Sequence, residues 1–184
     1  ALTAAAAVHD LGKAHPVFQE MLVDGIDPER FPDREQRLWA KSGRSGGRTR
    51  RRYFRHELAS ALALTVLDGE LRLPRPELVR YLVAAHHGKV RLSIRPAPGE
   101  TRPDDAPETA RFALGLVDGD KILEATTPLG TVPSVTLTLS PMELGSDTSW
   151  TDRAVGLRDD PQLGPFRLGF LEALLRVADW RASA

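Results

Sequence analysis

Four histidines and two aspartates are the residues of this chain best suited to chemistry: the pair His9-Asp10, then His56, the pair His86-His87, and Asp179. Imidazole and carboxylate are the ligand mix preferred by Zn, Fe, Ni and Mn, and no cysteine competes for such an ion. One histidine on an apolar stripe is more often a hydrogen-bonded core residue, and one buried aspartate is often the partner of a cation. Six such residues, each at a helix end or on an apolar helix face, ask for a common explanation. Two metals sharing Asp10 as a bridge would give one. Two ions about 3.5–4 Å apart clamp the attacking and leaving oxygens of a phosphoryl displacement and activate water near neutral pH.

The elements that must position these residues are mostly helical. Residues 2 to 11 are alanine-rich and read as a helix stopped near Gly12. A short helical stretch spans Val17 to Val23, followed by a loop broken by Pro28 and Pro32. Leu58, Leu62 and Val66 recur at helical spacing within residues 54 to 68, where Ala59, Ser60 and Ala63 are small enough to leave space above the His56 ring. Leu78, Leu82 and His86 do the same on a helix that Pro76 opens and Gly88 closes, as do Val79, Val83 and His87. Val90, Leu92 and Ile94 then alternate with Lys89, Arg91, Ser93 and Arg95, predicting a half-buried strand with a basic outer face. Val135, Leu137 and Leu139 predict a second strand able to pair with it. A short helix from Ser149 to about Arg158 and a long one from about Pro165 to Ala182 complete the chain. On the long helix Asp179 falls on the stripe of Leu168, Leu171 and Leu175, where a carboxylate is costly unless paired or bound to a metal. The neighbouring Trp180 reads as core. The fold class is mainly α, with a small β insertion at about 89–140.

The chain has 184 residues, of which 41% are hydrophobic and 27% charged, the composition of one globular domain with a real core. Lys and Arg number 25 and Asp and Glu 25, so a polycationic binder is excluded for the surface as a whole. The absence of cysteine excludes a disulfide scaffold and a cysteine-ligated zinc finger. No apolar run reaches the ~20 residues needed to cross a bilayer, and Ala1 to Val8 lack the basic region of a signal peptide. Because Ala1 opens inside a helical pattern, the sequence reads as a piece of a longer polypeptide.

The order His9-Asp10-Leu11-Gly12-Lys13, His56, His86-His87, Asp179 resembles the signature of the HD metal-dependent phosphohydrolase superfamily. HDLGKAHPVFQ (His9 to Gln19), FRHELASALAL (Phe54 to Leu64), LVAAHHGKVR (Leu82 to Arg91) and ADWRAS (Ala178 to Ser183) resemble one branch, the HD nuclease domain of the type I CRISPR-associated helicase–nuclease. The resemblance covers nearly the whole chain. It implies an HD-domain helical bundle over residues 1–184, and a metal-dependent, cytoplasmic nuclease acting on single-stranded DNA. A helicase, fused or separate, and a crRNA-guided surveillance complex are the implied partners, with no membrane. It implies two divalent transition-metal ions, drawn from Mn, Fe, Co, Ni and Zn, with Mg also compatible. His9, Asp10 and Asp179 would hold one ion. Asp10 would bridge to a second held by His56, His86 and His87, and Lys13 would contact the scissile phosphate or hold Asp10. The family also carries a histidine on a helix preceding the pair, which no residue here matches. His15, between Gly12 and Pro16, reads as a surface or supporting histidine.

Residues 41 to 55 read KSGRSGGRTRRRYFR, with seven basic residues and no acid. Single-stranded DNA asks for a positive groove with aromatic platforms. Arg48, Arg50, Arg51 and Arg52, beside Tyr53 and Phe54, are therefore candidate DNA contacts, as are Lys89 and Arg91 after His87. Acidic residues gather elsewhere, as in Glu100 to Glu108, so the zero net charge reads as a segregated balance. Two other readings fit the same ligand set: a phosphohydrolase of nucleotides or cyclic dinucleotides, and an inactive HD binding module.

Overall fold

The computed structural model describes residues 1–42 and 47–183. Residues 43–46 of the basic run, Arg44 among them, lie outside the described residues. Six α-helices dominate: α1 (Leu2–Val8), α2 (Pro16–Asp24), α3 (His56–Val66), α4 (Pro76–Ala85), α5 (Trp150–Asp159) and α6 (Gly164–Ser183). The helical class expected from the apolar spacing is what the structure shows.

Helix α3 is buried nearly throughout, from Glu57 to Leu64, which is why its sequence is Leu and Ala on every face. It packs on α4 and on the short 3₁₀ turn Leu11–Ala14 that links α1 to α2. The turn approaches very closely. A Cβ on Gly12 would lie 2.0 Å from the His56 carbonyl oxygen and 2.7 Å from the Ser60 nitrogen. The small residues Ala59 and Ser60 therefore make room for this backbone turn, not for space above the His56 ring. The Ser60 hydroxyl sits 2.7 Å from the His9 carbonyl, to which it donates, and accepts from the Gly12 N–H at 2.7 Å.

The β structure differs from expectation. No strand forms over Lys89–Arg95. Val90 and Ile94 are buried while Leu92 is 50% exposed, so the segment buries every fourth residue instead of every second. Arg91 O accepts from Trp150 Nε1 at 2.7 Å, which pins this stretch to α5. The strands lie further along: β1 (Phe112–Ala113), β2 (Leu116–Val117), β3 (Lys121–Ile122), β4 (Ala125–Thr127), β5 (Gly130–Val132) and β6 (Val135–Thr136). All pair antiparallel, β1 with β2, β3 with β6, β4 with β5. The expected second strand thus exists at its start, but its partner is Lys121–Ile122. Leu114 and Gly115 form the two-residue β1–β2 turn with φ of 54° and 75°, the left-handed pair that suits a tight hairpin. The Glu100 carboxylate holds that turn by accepting from the N–H of Leu114, Gly115 and Ala97. In turn, the Leu114 carbonyl accepts from Arg55 N–H at 3.0 Å, directly before α3.

Helix α6 buries Leu168 and Leu175 and leaves Phe166, Phe170, Val177 and Trp180 outside. Trp180 is 56% exposed, with the Arg176 guanidinium 4.8 Å from its ring centre, and so is not core.

Candidate metal centre

The chemical residues sit where helices end. His9 and His86 each follow the last turn of a helix, α1 and α4. Each turns its ring back onto that helix: His9 Nδ1–H donates to Ala6 O at 2.8 Å, and His86 Nδ1–H to Val83 O at 2.6 Å. A carbonyl can only accept, so both rings carry their proton on Nδ1 and present the lone pair of Nε2. Both Nε2 atoms are buried and lack a hydrogen-bond partner. An imidazole oriented by one nitrogen with the other left for an ion is how metal-binding histidines are built.

His56 starts α3 and Asp179 lies near the end of α6. Two groups of donors result. Ligand atoms of His56, His86 and His87 lie within 4.8 Å of one another, and so do those of His9, His86 and Asp179. His86 belongs to both groups, but its single available nitrogen can serve one ion. Asp10 faces both: Oδ1 is 3.3 Å from His56 Nε2 and Oδ2 is 3.4 Å from His9 Nε2. His9 Nε2 is also 3.4 Å from Asp179 Oδ1, and His87 Nε2 is 3.3 Å from His56 Nε2. Lys13 Nζ donates to Asp10 Oδ2 at 2.7 Å. The six expected ligands and Lys13 are therefore brought into one place by α1, the turn after it, α3, α4 and α6. Converging imidazole nitrogens, two of them without a hydrogen-bond partner, with carboxylates between them fit divalent metal ions.

The electrostatics suit a cation as well. Burial raises the Asp10 carboxyl, but bonding to His56 and the neighbouring His9 and Lys13 outweigh it and hold the group well below the usual carboxylate range. Burial lowers His86 to about 3, with His87, His56 and His9 adding to the effect against its bond to Val83. Burial and His56 lower His87 too. These imidazoles are neutral, the form that binds metals. One consequence concerns the metal-free protein. The unfolded chain takes up a proton on His86 near pH 6.5 while the folded state refuses it until about pH 3. Stability is thus present above pH 6.5 and is lost as pH falls through that window, by about 2 kcal/mol between pH 6.5 and 5 from this one group. Denaturant unfolding in chelator at the two pH values measures this, and equal stability would refute a neutral buried His86.

Matching the chain against protein-family models finds one family, described as Cas3, HD domain, over residues 1–184. The chain belongs to the Cas3 HD-domain family. It is therefore a member of a family of CRISPR-associated HD nucleases, whose HD domains bind divalent metals. No curated protein and no solved structure matches it.

The basic residues of this HD domain are placed less simply than the ligands. Arg51 is half-buried and engaged in ion pairs, 2.6 Å from Asp120 and 3.0 Å from Asp105. Arg50 binds Glu20 and Asp105, and Arg91 binds Glu172. Arg52 lies over the Tyr53 ring, and Arg48 and Lys89 are exposed. Of the six expected DNA contacts, three are thus engaged by carboxylates. The acidic loop is not segregated from the basic run either, because Asp105 stands between Arg50 and Arg51. His15 is no surface residue. It is 2% exposed, its Nε2 is 3.2 Å from Asp120, and its Nδ1 accepts from Val17 N–H at the start of α2.

Some site residues escape sequence reasoning. Glu57 is 1% exposed and its Oε2 is 3.7 Å from His56 Nδ1, on the far side of the ring from the metal centre. Gln19 is buried and spends its amide on backbone: it donates to Lys13 O and Trp39 O and accepts from Trp39 N–H. Its place ten residues after His9, inside the motif, is the one signal that pointed to it.

Proposed function

We propose that this domain is a metal-dependent deoxyribonuclease that hydrolyses phosphodiester bonds of single-stranded DNA in CRISPR interference. In this reading it works in the cytoplasm with a helicase, and a crRNA-guided surveillance complex recruits it to the displaced strand. The observation that carries the reading is the pair of three-donor groups joined at His86, with one Asp10 oxygen turned to each side.

His9, Asp10 and Asp179 would hold one ion, and His56, His86, His87 and Asp10 the second. Mn, Fe, Co, Ni and Zn all accept these donors, and Mg is compatible with the carboxylates. Such ions supply water activation and charge neutralisation at the phosphate. The chain's own residues do the rest. The Val83 and Ala6 carbonyls keep His86 and His9 in the ligating tautomer. Lys13 fixes Asp10 and adds one positive charge where a phosphate arrives. The test is digestion of circular single-stranded DNA with Mn²⁺ or Ni²⁺, beside nucleotides and cyclic dinucleotides. Cutting of the circle supports the nuclease reading, and turnover of nucleotides alone overturns it.

The basic residues separate into two groups by expected phenotype. Alanine at Arg48 and Arg52 together weakens binding of single-stranded DNA and flattens its salt dependence, since each phosphate contact adds to that slope. Arg51→Ala acts on the fold instead. It leaves the half-buried Asp120 with His15 and the Val117 N–H but one cation fewer, and lowers stability by about 2 kcal/mol. Salt titrations and denaturant melts of the two variants distinguish these effects. An unchanged salt slope in the Arg48/Arg52 variant would return both residues to the solvated surface.

A further inference from the structure

A cavity of about 590 Å³ opens beside the metal centre. Its lining joins His9, Asp10 and Lys13 with Trp39, Thr126 of β4 and Pro128 of the β4–β5 turn. This is within the size range of small-ligand sites.

Two features say what kind of group it suits. Trp39 is held beside the cavity with unusual care for a residue in a long loop. Gln19 binds both its backbone N–H and its carbonyl, at 2.8 and 3.0 Å, and the indole N–H donates to Arg34 O at 2.8 Å. The same Gln19 amide donates to Lys13 O at 2.7 Å. One buried side chain therefore sets the spacing between the indole and the lysine that holds Asp10. The second feature is charge. Among the described residues the lining carries no Lys or Arg apart from Lys13 and includes Glu124, and most of it is alanine, leucine, proline and threonine. A run of phosphates asks for several cations, which the described lining does not supply. A flat uncharged ring asks for an aromatic and apolar wall, which it has.

We propose that the cavity receives one unpaired nucleobase of the substrate strand, packed against Trp39, next to the phosphate that Lys13 and the metal centre engage. The proposal rests on the nuclease reading above and deepens it. Because stacking accepts every base, the site favours single strands over duplex without reading sequence. Trp39 is a substrate-positioning residue, and Gln19 acts through it.

The test uses the full-length, metal-loaded protein and short single strands in which one abasic residue is moved along the chain. For the parent protein, removal of the base at one position beside the cleaved bond raises KM about tenfold, the scale of one lost stack. Trp39→Leu raises KM on the intact strand by a similar factor and loses nothing more on that abasic strand. Trp39→Phe recovers most of the loss. Circular dichroism checks that both variants fold, and the abasic scan on the parent stands without them. Parent-like KM in Trp39→Leu, losses that multiply, or a flat abasic scan would each overturn the cavity's role. Binding of the same strands is followed by anisotropy in chelator. Absent cleavage with Trp39-dependent binding would sink the nuclease reading and leave the cavity standing.

Discussion

Asp10→Ala should abolish DNA cleavage, by about a thousandfold or more, while the domain stays folded. The size of the effect follows from position. Asp10 is turned toward both donor groups, with Oδ1 toward His56 and Oδ2 toward His9. Its loss removes a ligand from each side at once and frees Lys13 from its partner. Several kcal/mol of charge stabilisation at a phosphate depend on such ions, and each 1.4 kcal/mol is about tenfold in rate. Stability is touched much less, because the pair with Lys13 is partly exposed and worth at most about 1 kcal/mol. Cleavage assays beside thermal melts check both halves. A variant that still cuts would refute the bridging role, and one that unfolds would make Asp10 structural.

Gly12→Ala should have the largest effect on the fold for the smallest change in chemistry. The added methyl would meet the His56 carbonyl at 2.0 Å, the Ser60 nitrogen at 2.7 Å and the Ala59 Cβ at 2.8 Å. Two of these are backbone atoms of a buried helix, which cannot swing aside as a side chain can. The turn must lift off α3, losing the bond from Gly12 N–H to Ser60 Oγ. A cost of about 3 kcal/mol or more is expected, at the upper end for overpacking. His9 and Asp10 sit at the base of the same turn, so metal affinity falls with stability. Denaturant unfolding and metal titration of this variant measure the two effects, and parent-like values in both would show that the close approach is not required.

The helical frame and the six candidate donors could be read from residue order because both are local. A histidine that follows an apolar helix, or an aspartate on an apolar stripe, is conspicuous wherever it stands. The failures have a different physical origin. Val90, Leu92 and Ile94 satisfy period two on paper, yet burial of Val90 and Ile94 alone satisfies period four, and only Trp150 on a distant helix decides between them. The real strands are two or three residues long, too short for alternation to register. Ion pairs such as Arg51 with Asp120, or His15 with Asp120, join segments whose proximity no local pattern encodes. Trp180 points to solvent although its neighbour Asp179 faces inward, because adjacent residues on a helix point about 100° apart.

The staple at Glu100 sets an order of assembly. Helix α3 can form from its own sequence, but its first residue, His56, is placed only once the β1–β2 turn has docked on Arg55 and Glu100 has gripped that turn. Those contacts close a long loop, which is entropically late compared with any helix. During synthesis the ribosome must therefore finish the insertion, and then α6 with Asp179, before all six candidate donors are present. His9, His56, His86 and His87 precede that insertion on elements that pack directly on one another, so Asp179 is the last of the six candidate donors to join them. On the metal reading proposed above, capture of an ion at His9, Asp10 and Asp179 would seal a finished domain and not nucleate its folding.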